Sequence, residues 1–423
     1  MSGRAVVVGG GIAGLTVAVA LGRIGWRVTV LEEAPVFWEA GAGLNLMPNG
    51  QRALGELGLL GRASDEGHAN RLDGIRRPDG AWLTRFPAGS WTSIGIHRRS
   101  LHAMLLDAAS ETAELLPGAR AQEVVVGRPD GRSAEVWWLA DGVEHVALAD
   151  LVIGADGVRS VCRKVVDPAA KVSELGYVAW RAVAQEDLMG AEDWALWWGR
   201  GVEFAAQRIA PGRVSWHCLL PNRRGASRDD LAAAVSGWEA RVVRTLEATD
   251  PLAVFRHDLR EVRPLPASLS RGRVVLVGDA AHAVAPTLNQ GANLALEDGV
   301  ALGRAFGHGG GDGRGAGAVR RSAPGEVPQG LGPLPQNAGH RRRLGGARAG
   351  ARRARTRGWP LAAGHPCRRC MRSVLGAIGL VGSRCRSGPV FPAVHSNVCC
   401  PRISSTYGMR ERAFGVRSRH HTR

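Results

Sequence analysis

The sequence predicts an α/β protein in which one parallel sheet is assembled from two separated stretches of chain, with a second, α+β domain inserted between them. Residues 5–8, 12–25 and 27–31 read as strand, helix and strand in direct succession, the apolar run of the first strand being that of a buried parallel strand. Residues 273–277 supply a similar apolar strand much later in the chain. Between the two, residues 171–270 are rich in tryptophan and in alternating strand patterns. The expected boundaries are 1–170 for the first part of the parallel-sheet domain, 171–270 for the insert, 271–307 for the second part and 308–423 for a basic Gly/Arg/Pro-rich tail.

A chain of 423 residues with 45% hydrophobic residues can build two cores and a pocket that excludes water. The formal net charge of +17 would suggest an acidic partner, but its distribution argues otherwise. Residues 308–423 hold 22 of the 55 Lys and Arg and, of the 38 acids, only Asp312, Glu326 and Glu411, so they carry +19 and residues 1–307 carry −2. Cysteine divides the same way: only Cys162 and Cys218 precede the tail. Two scattered thiols fit a reducing cytoplasm. No signal-peptide pattern opens the sequence, and the weakly polar run at 374–382 is far shorter than the roughly 20 residues of a membrane-spanning helix, so a cytoplasmic protein without a membrane span is expected.

After the opening strand–helix–strand unit, a helix is expected at 49–59, strand-like segments at 71–86 and a helix at 99–116. Turn signals at Asp130-Gly131 and Asp141-Gly142 mark hairpins between 121 and 148, and residues 151–153 return to a buried strand. In the insert, strands are expected at 177–184, 194–198, 203–209 and 214–220, with a helix near 229–245; a final helix is expected at 290–306. Beyond Gly307 the composition turns to Gly, Arg, Pro, Ala and Cys without durable periodicity, and the tail is read as aberrant and disordered. A one-base slip of the codons for residues 330–338 reads as an amphipathic helix, so a frameshifted and catalytically defective product is one competing reading.

Three motifs carry chemistry. Gly9-Gly10-Gly11-Ile12-Ala13-Gly14 follows a strand and opens a helix, and Glu32 ends the next strand. In that context Gly9 permits a tight turn, Gly11 lets a pyrophosphate approach the helix N-terminus, and Gly14 allows close helix–sheet contact; Ala13 belongs to the same loop. Glu32 is placed to accept hydrogen bonds from a ribose, and this acidic end favours FAD or NAD over a 2′-phosphorylated dinucleotide. Glu33 joins the candidates, although a solvated carboxylate is its more ordinary role. The second motif is Gly154-Ala155-Asp156-Gly157, with Arg159; the third is Gly278-Asp279 with His282, Pro286 and Gln290-Gly291-Ala292-Asn293.

These three segments, with His97-Arg98 and Gly41-Ala42-Gly43, resemble the class A FAD-dependent aromatic monooxygenases, the family that includes para-hydroxybenzoate hydroxylase and salicylate hydroxylase; the resemblance covers residues 4–306. It implies a Rossmann-like FAD-binding domain with an inserted substrate domain. Gly9, Gly11, Gly14 and Glu32 would hold the ADP half of FAD, Arg98 the ribityl and phosphate region, and Asp279 the ribityl chain. Asp156 would lie between the FAD and NAD(P)H regions, and Pro286 with the amides of Gly291, Ala292 and Asn293 beside the isoalloxazine ring. A helix N-terminus there would stabilise the negative charge of reduced flavin. Asn289 stands where the family commonly has glycine, and asparagine tolerates the left-handed backbone better than other residues.

The activity implied is hydroxylation of a small aromatic or phenolic substrate with NADH or NADPH and O₂, through a flavin C4a-hydroperoxide, the donor binding transiently because only one dinucleotide fingerprint occurs. Epoxidation or Baeyer–Villiger oxygenation is the alternative within the family. The insert should roof the flavin, with Trp180, Trp197 and Trp216 as candidate walls and Arg181, Gln207 or His217 as groups that orient a phenol or carboxylate. Sheet core is the blander role for each tryptophan, helix cap for Asp156, surface cation for Arg98 and satisfied buried histidine for His282. Cys367 and Cys370 lack a second arm for zinc, so no metal is expected, and the tail arginines lack the aromatic interleaving of a specific nucleic-acid site.

Overall fold

The computed structural model describes residues 3–38, 41–128, 131–222 and 226–307. The expectations for 308–423, including Cys367 and Cys370 and the frame slip, lie outside the described residues.

The opening unit is β1 (Arg4–Val8), α1 (Ile12–Gly22) and β2 (Arg27–Leu31), with β1 and β2 parallel. All of α1 from Ile12 to Leu21 is buried, because it is covered on one side by the sheet and on the others by later helices. There follow β3 (Gly43–Leu46), α2 (Pro48–Glu56), α3 (Leu60–Glu66), β4 (His68–Arg71), β5 (Gly74–Arg76), β6 (Trp82–Arg85), β7 (Thr92–His97), α4 (Arg98–Ser110) and β8 (Ala113–Leu116). Strands β9 (Arg120–Val125), β10 (Ala134–Ala140) and β11 (Val143–Ala149) make a separate antiparallel sheet, after which β12 (Leu151–Gly154) and α5 (Val161–Val166) return to the first layer.

The insert comprises β13 (Val172–Ala184), β14 (Trp194–Trp198), β15 (Glu203–Ala210), β16 (Arg213–Pro221), α6 (Arg228–Val235), α7 (Ala240–Glu247) and β17 (Phe255–Val262). Strands β18 (Ser270–Arg271) and β19 (Val274–Leu276), then α8 (Asp279–His282) and α9 (Gly291–Gly307), complete the first domain. Its sheet has the order β18-β19-β12-β1-β2-β8, parallel except for β18. The three strands that carry the motifs thus lie side by side as β19, β12 and β1, which brings the three following loops to one sheet end.

Four expectations need correction. The helix expected at 99–116 ends at Ser110, and Ala113–Leu116 leaves it to pair in parallel with β2, because a free sheet edge beside Val28–Leu31 offers this apolar run its backbone partners. The helix expected near 229–245 is two, α6 and α7, parted at Gly237, whose φ of +74° no helix accommodates. The helix expected at 49–59 likewise stops at Glu56, before Gly58 at φ +62°, and α3 begins at Leu60. The seven-stranded sheet, order β17-β13-β16-β15-β14-β5-β6, also recruits β5 and β6 from outside 171–270. Its core is built on Trp197, Phe204 and Trp216, and is separate from the core under the parallel sheet.

Candidate functional site

A cavity of about 460 Å³ opens where the three motif loops face the underside of the seven-stranded sheet. Gly11, Ile12 and Ala13 line one part of it, at the start of α1. The first amides of a helix have no partner within it, so this rim is electropositive without any side chain. Ala155 and Gly157 border the same space, as do Arg98 from the start of α4 and Asp279 from the start of α8. Pro286 and Asn289, ahead of α9, and Gly291 and Ala292, its first two residues, form a further wall, and Asn289 does take the left-handed conformation, at φ +54° and ψ +29°.

The glycines of the first loop are required by packing as well as by ligand approach. A Cβ on Gly9, which has φ +106°, would stand 2.4 Å from the Ala155 carbonyl oxygen, so the first and second motif loops touch there. A Cβ on Gly14 would stand 1.9 Å from the Gly9 carbonyl oxygen. Neither residue lines the cavity; they shape the loop that does. Glu32 accepts from the N–H groups of Gly10 at 2.7 Å and Ala34 at 2.9 Å, so its carboxylate is fixed beside the loop but outside the cavity wall. Glu33 is exposed.

Asp156 is also outside the cavity wall. Its carboxylate accepts from Ser160 Oγ and from the N–H groups of Val161 and Cys162, so it caps α5, while its neighbours Ala155 and Gly157 meet the cavity. Asn293 is wholly buried: its Oδ1 accepts from Met47 N–H at 2.9 Å, and its Nδ2 donates to the carbonyls of Asn45 and Asn289. It ties the start of α9 to β3 and fixes the turn at Asn289.

Arg181, Gln207, Trp216 and His217 form the roof, together with His257 from β17. They come from adjacent antiparallel strands, with Arg181 opposite His217 and Gln207 opposite Ser215 in register. The Arg181 Nε and the Gln207 Oε1 are buried with no hydrogen-bond partner. Burial lowers the Arg181 pKa to about 10, Arg98 pushes the same way and Asp279 opposes, so the guanidinium stays charged at neutral pH. His217 Nε2 lies 3.1 Å from Oε1 of Glu203, which is buried and also accepts from Trp198 Nε1. The surrounding protein, with Arg181 and Arg98, lowers the His257 pKa to about 4 and keeps that ring neutral. Trp180 is absent from the cavity wall and sits in the sheet core, as does Trp197, whose Nε1 donates to Glu239.

Beneath Asp279, the buried Asp298 of α9 accepts from Gly278 N–H at 2.8 Å and from His282 Nε2 at 2.6 Å. Gly278 has φ +57°, and this carboxylate holds its turn in place. Asp298, His257 and Glu203 were not legible as site residues. Asp298 and Glu203 act through partners on other elements, His282 at 16 residues' and His217 at 14 residues' distance in sequence, and His257 reaches the cavity because β17 pairs with β13. Among the described residues no group of three or more His, Cys, Asp and Glu side chains could hold a metal ion, and no helix is long and apolar enough to cross a membrane.

Comparison with known proteins agrees with this geometry. The model of the FAD binding domain family matches residues 3–311. The chain is 32% identical over 313 residues to aurachin C monooxygenase/isomerase of Stigmatella aurantiaca, covering 71% of this chain and 79% of that one. It is 36% identical over 312 residues to 3-amino-4-hydroxybenzoate 2-monooxygenase of Streptomyces cremeus, covering 70% and 76%. The crystal structure of Klebsiella pneumoniae HpxO complexed with FAD and uric acid superposes with a TM-score of 0.63 at 29% identity, over 74% of this chain and 81% of that one.

Proposed function

Since this chain belongs to the FAD binding domain family, among the class A FAD-dependent aromatic monooxygenases, we propose that it hydroxylates a small phenolic or otherwise electron-rich aromatic molecule, using NADH or NADPH and O₂. The observation that carries this reading is a cavity with a dinucleotide loop at one end and two unpartnered polar atoms, on Arg181 and Gln207, in its roof. The residues present fit FAD: the amides at the start of α1 suit a pyrophosphate, Arg98 and Asp279 suit the ribityl region, and the start of α9 suits the flavin's anionic edge. When bound, FAD supplies the redox chemistry, taking a hydride from the nicotinamide and activating O₂.

The chain's own residues bind, orient and shield. Arg181 attracts an anionic group of the substrate, a carboxylate or a phenolate, and Gln207 Oε1 accepts a hydrogen bond from a hydroxyl or amino group elsewhere on the same molecule. Unmet, both atoms are costly in the interior, so a substrate that satisfies them is selected over one that leaves them bare. With its Nε2–H donated to Glu203, His217 has its Nδ1 lone pair free to take a phenolic proton, and the buried carboxylate stabilises the imidazolium that results. A ring so deprotonated is richer in electrons and more readily oxygenated. Trp216 and the sheet above it keep bulk water from the reacting atoms.

The test is NADH and NADPH oxidation by the purified chain against a panel of phenols and hydroxybenzoates under ¹⁸O₂. The expected result is substrate-stimulated oxidation with one labelled oxygen on the aromatic ring. Oxidation that no aromatic compound stimulates, with hydrogen peroxide as sole product, would contradict the reading; a labelled ester or epoxide would move the chemistry elsewhere within the family.

A further inference from the structure

Gly10 is held from both sides. Its N–H donates to the Glu32 carboxylate at 2.7 Å, and its carbonyl oxygen lies 2.8 Å from Nε2 of His102. A carbonyl oxygen can only accept, so Nε2 carries the proton and the imidazole is the donor. His102 is buried within α4, 92 residues from Gly10 in sequence and one helical turn beyond Arg98, which lines the cavity. One face of α4 therefore delivers a cation to the cavity and a hydrogen-bond donor to the loop behind it.

The direction of the next amide follows from this contact. The Gly10 carbonyl and the Gly11 N–H belong to one planar trans unit and point in opposite directions. Glycine on both sides of that unit leaves little steric resistance to its rotation. In the flipped orientation a carbonyl oxygen would face an approaching phosphate and repel it. With the carbonyl tied to His102, the Gly11 N–H is turned away from His102 at the point where Gly11 lines the cavity.

We propose that His102 is a positioning residue for the cofactor, fixing the Gly10–Gly11 peptide so that the Gly11 amide donates to the FAD pyrophosphate. The proposal rests on FAD binding alone and does not depend on which substrate is oxygenated. It acts through backbone geometry, so the ring itself touches no part of the ligand.

The test compares the full-length His102→Gln and His102→Met variants with the wild-type chain. The two replacements are nearly equal in length and volume, but only glutamine can donate a hydrogen bond to the Gly10 carbonyl. Binding of FAD and of riboflavin, which lacks the pyrophosphate, is measured by equilibrium dialysis. His102→Gln is expected to bind FAD within about twofold of wild type and His102→Met about tenfold more weakly, with riboflavin binding equal in all three. FAD binding by His102→Met as tight as by His102→Gln overturns the proposal. So does a parallel loss of both ligands in both variants, which would make His102 a folding residue only. A wild-type chain that takes up neither ligand would overturn the cofactor assignment together with this inference.

Discussion

At Gly14 the backbone leaves no room for a side chain, since the nearest obstacle to a Cβ is another backbone atom, the Gly9 carbonyl oxygen, that cannot swing aside. Gly14→Ala is therefore expected to displace the loop and abolish FAD retention, read as loss of the visible flavin spectrum; a yellow Gly14→Ala protein would show that the loop relaxes. Arg181→Gln removes the one roof cation whose Nε has no partner, and the KM for an anionic aromatic substrate is expected to rise about 10- to 100-fold while the flavin spectrum stays unchanged. Arg181→Lys should recover little, because an ammonium does not reproduce the planar donor fork; unaltered KM in both variants would remove Arg181 from substrate binding. At His282, burial works to lower the pKa, but the hydrogen bond and charge of Asp298, aided by Asp279, outweigh it and raise the pKa above the ordinary 6.5. The pair's contribution to stability is thus fully present below pH 6.5 and lost as pH rises through the raised value. Thermal unfolding across that range should show a decline in wild type that His282→Asn lacks, and parallel profiles would contradict this. Gly11 and Ala13 were legible as cavity-lining residues because they sit at the head of α1, whereas Glu32, turned to the Gly10 and Ala34 amides, Asp156, a cap for α5, and Trp180, a core residue, stand outside the cavity wall because only the fold decides which way a side chain is spent.

At the scale of elements, the site depends on α9 lying close against α1. A Cβ on Gly299 would meet the Thr16 Cγ2 at 2.5 Å, and Thr16 is held in place by its own hydrogen bond to the Ile12 carbonyl. Gly299→Ala is expected to cost about 1–3 kcal/mol of stability, measured by denaturant unfolding, with part recovered in the Thr16→Ala, Gly299→Ala double variant. Additive losses would mean that the two helices do not meet as described. Elements such as β1, α1 and the tryptophan-rich β14, buried at nearly every position, were legible from their continuous apolar composition and their flanking turn residues. The strand at Ala113–Leu116 was not, because its state is decided by the neighbouring edge of β2, and the α6–α7 break was read through because one glycine inside a helical pattern is a weak signal until its backbone angle is known.

For the whole molecule, charge and chemistry separate along the chain. The described residues end at Gly307 within a segment of net charge −2, and the site is built entirely from it, while the +19 belongs to residues 308–423. Any binding to nucleic acid is therefore expected to be salt-sensitive, indifferent to sequence and absent from a chain ending at residue 307; persistence in that shortened chain would assign it to residues 1–307. The convergence of three motif loops on one cavity was the part of the fold most legible in sequence, because adjacent parallel strands bring their following loops to the same sheet end. The measurement that tests this convergence most directly is FAD uptake by the purified full-length chain, followed by visible absorbance and by flavin released per chain on denaturation. The account requires a yellow protein holding one FAD per chain, and a folded but colourless protein that takes up none from excess FAD would contradict it.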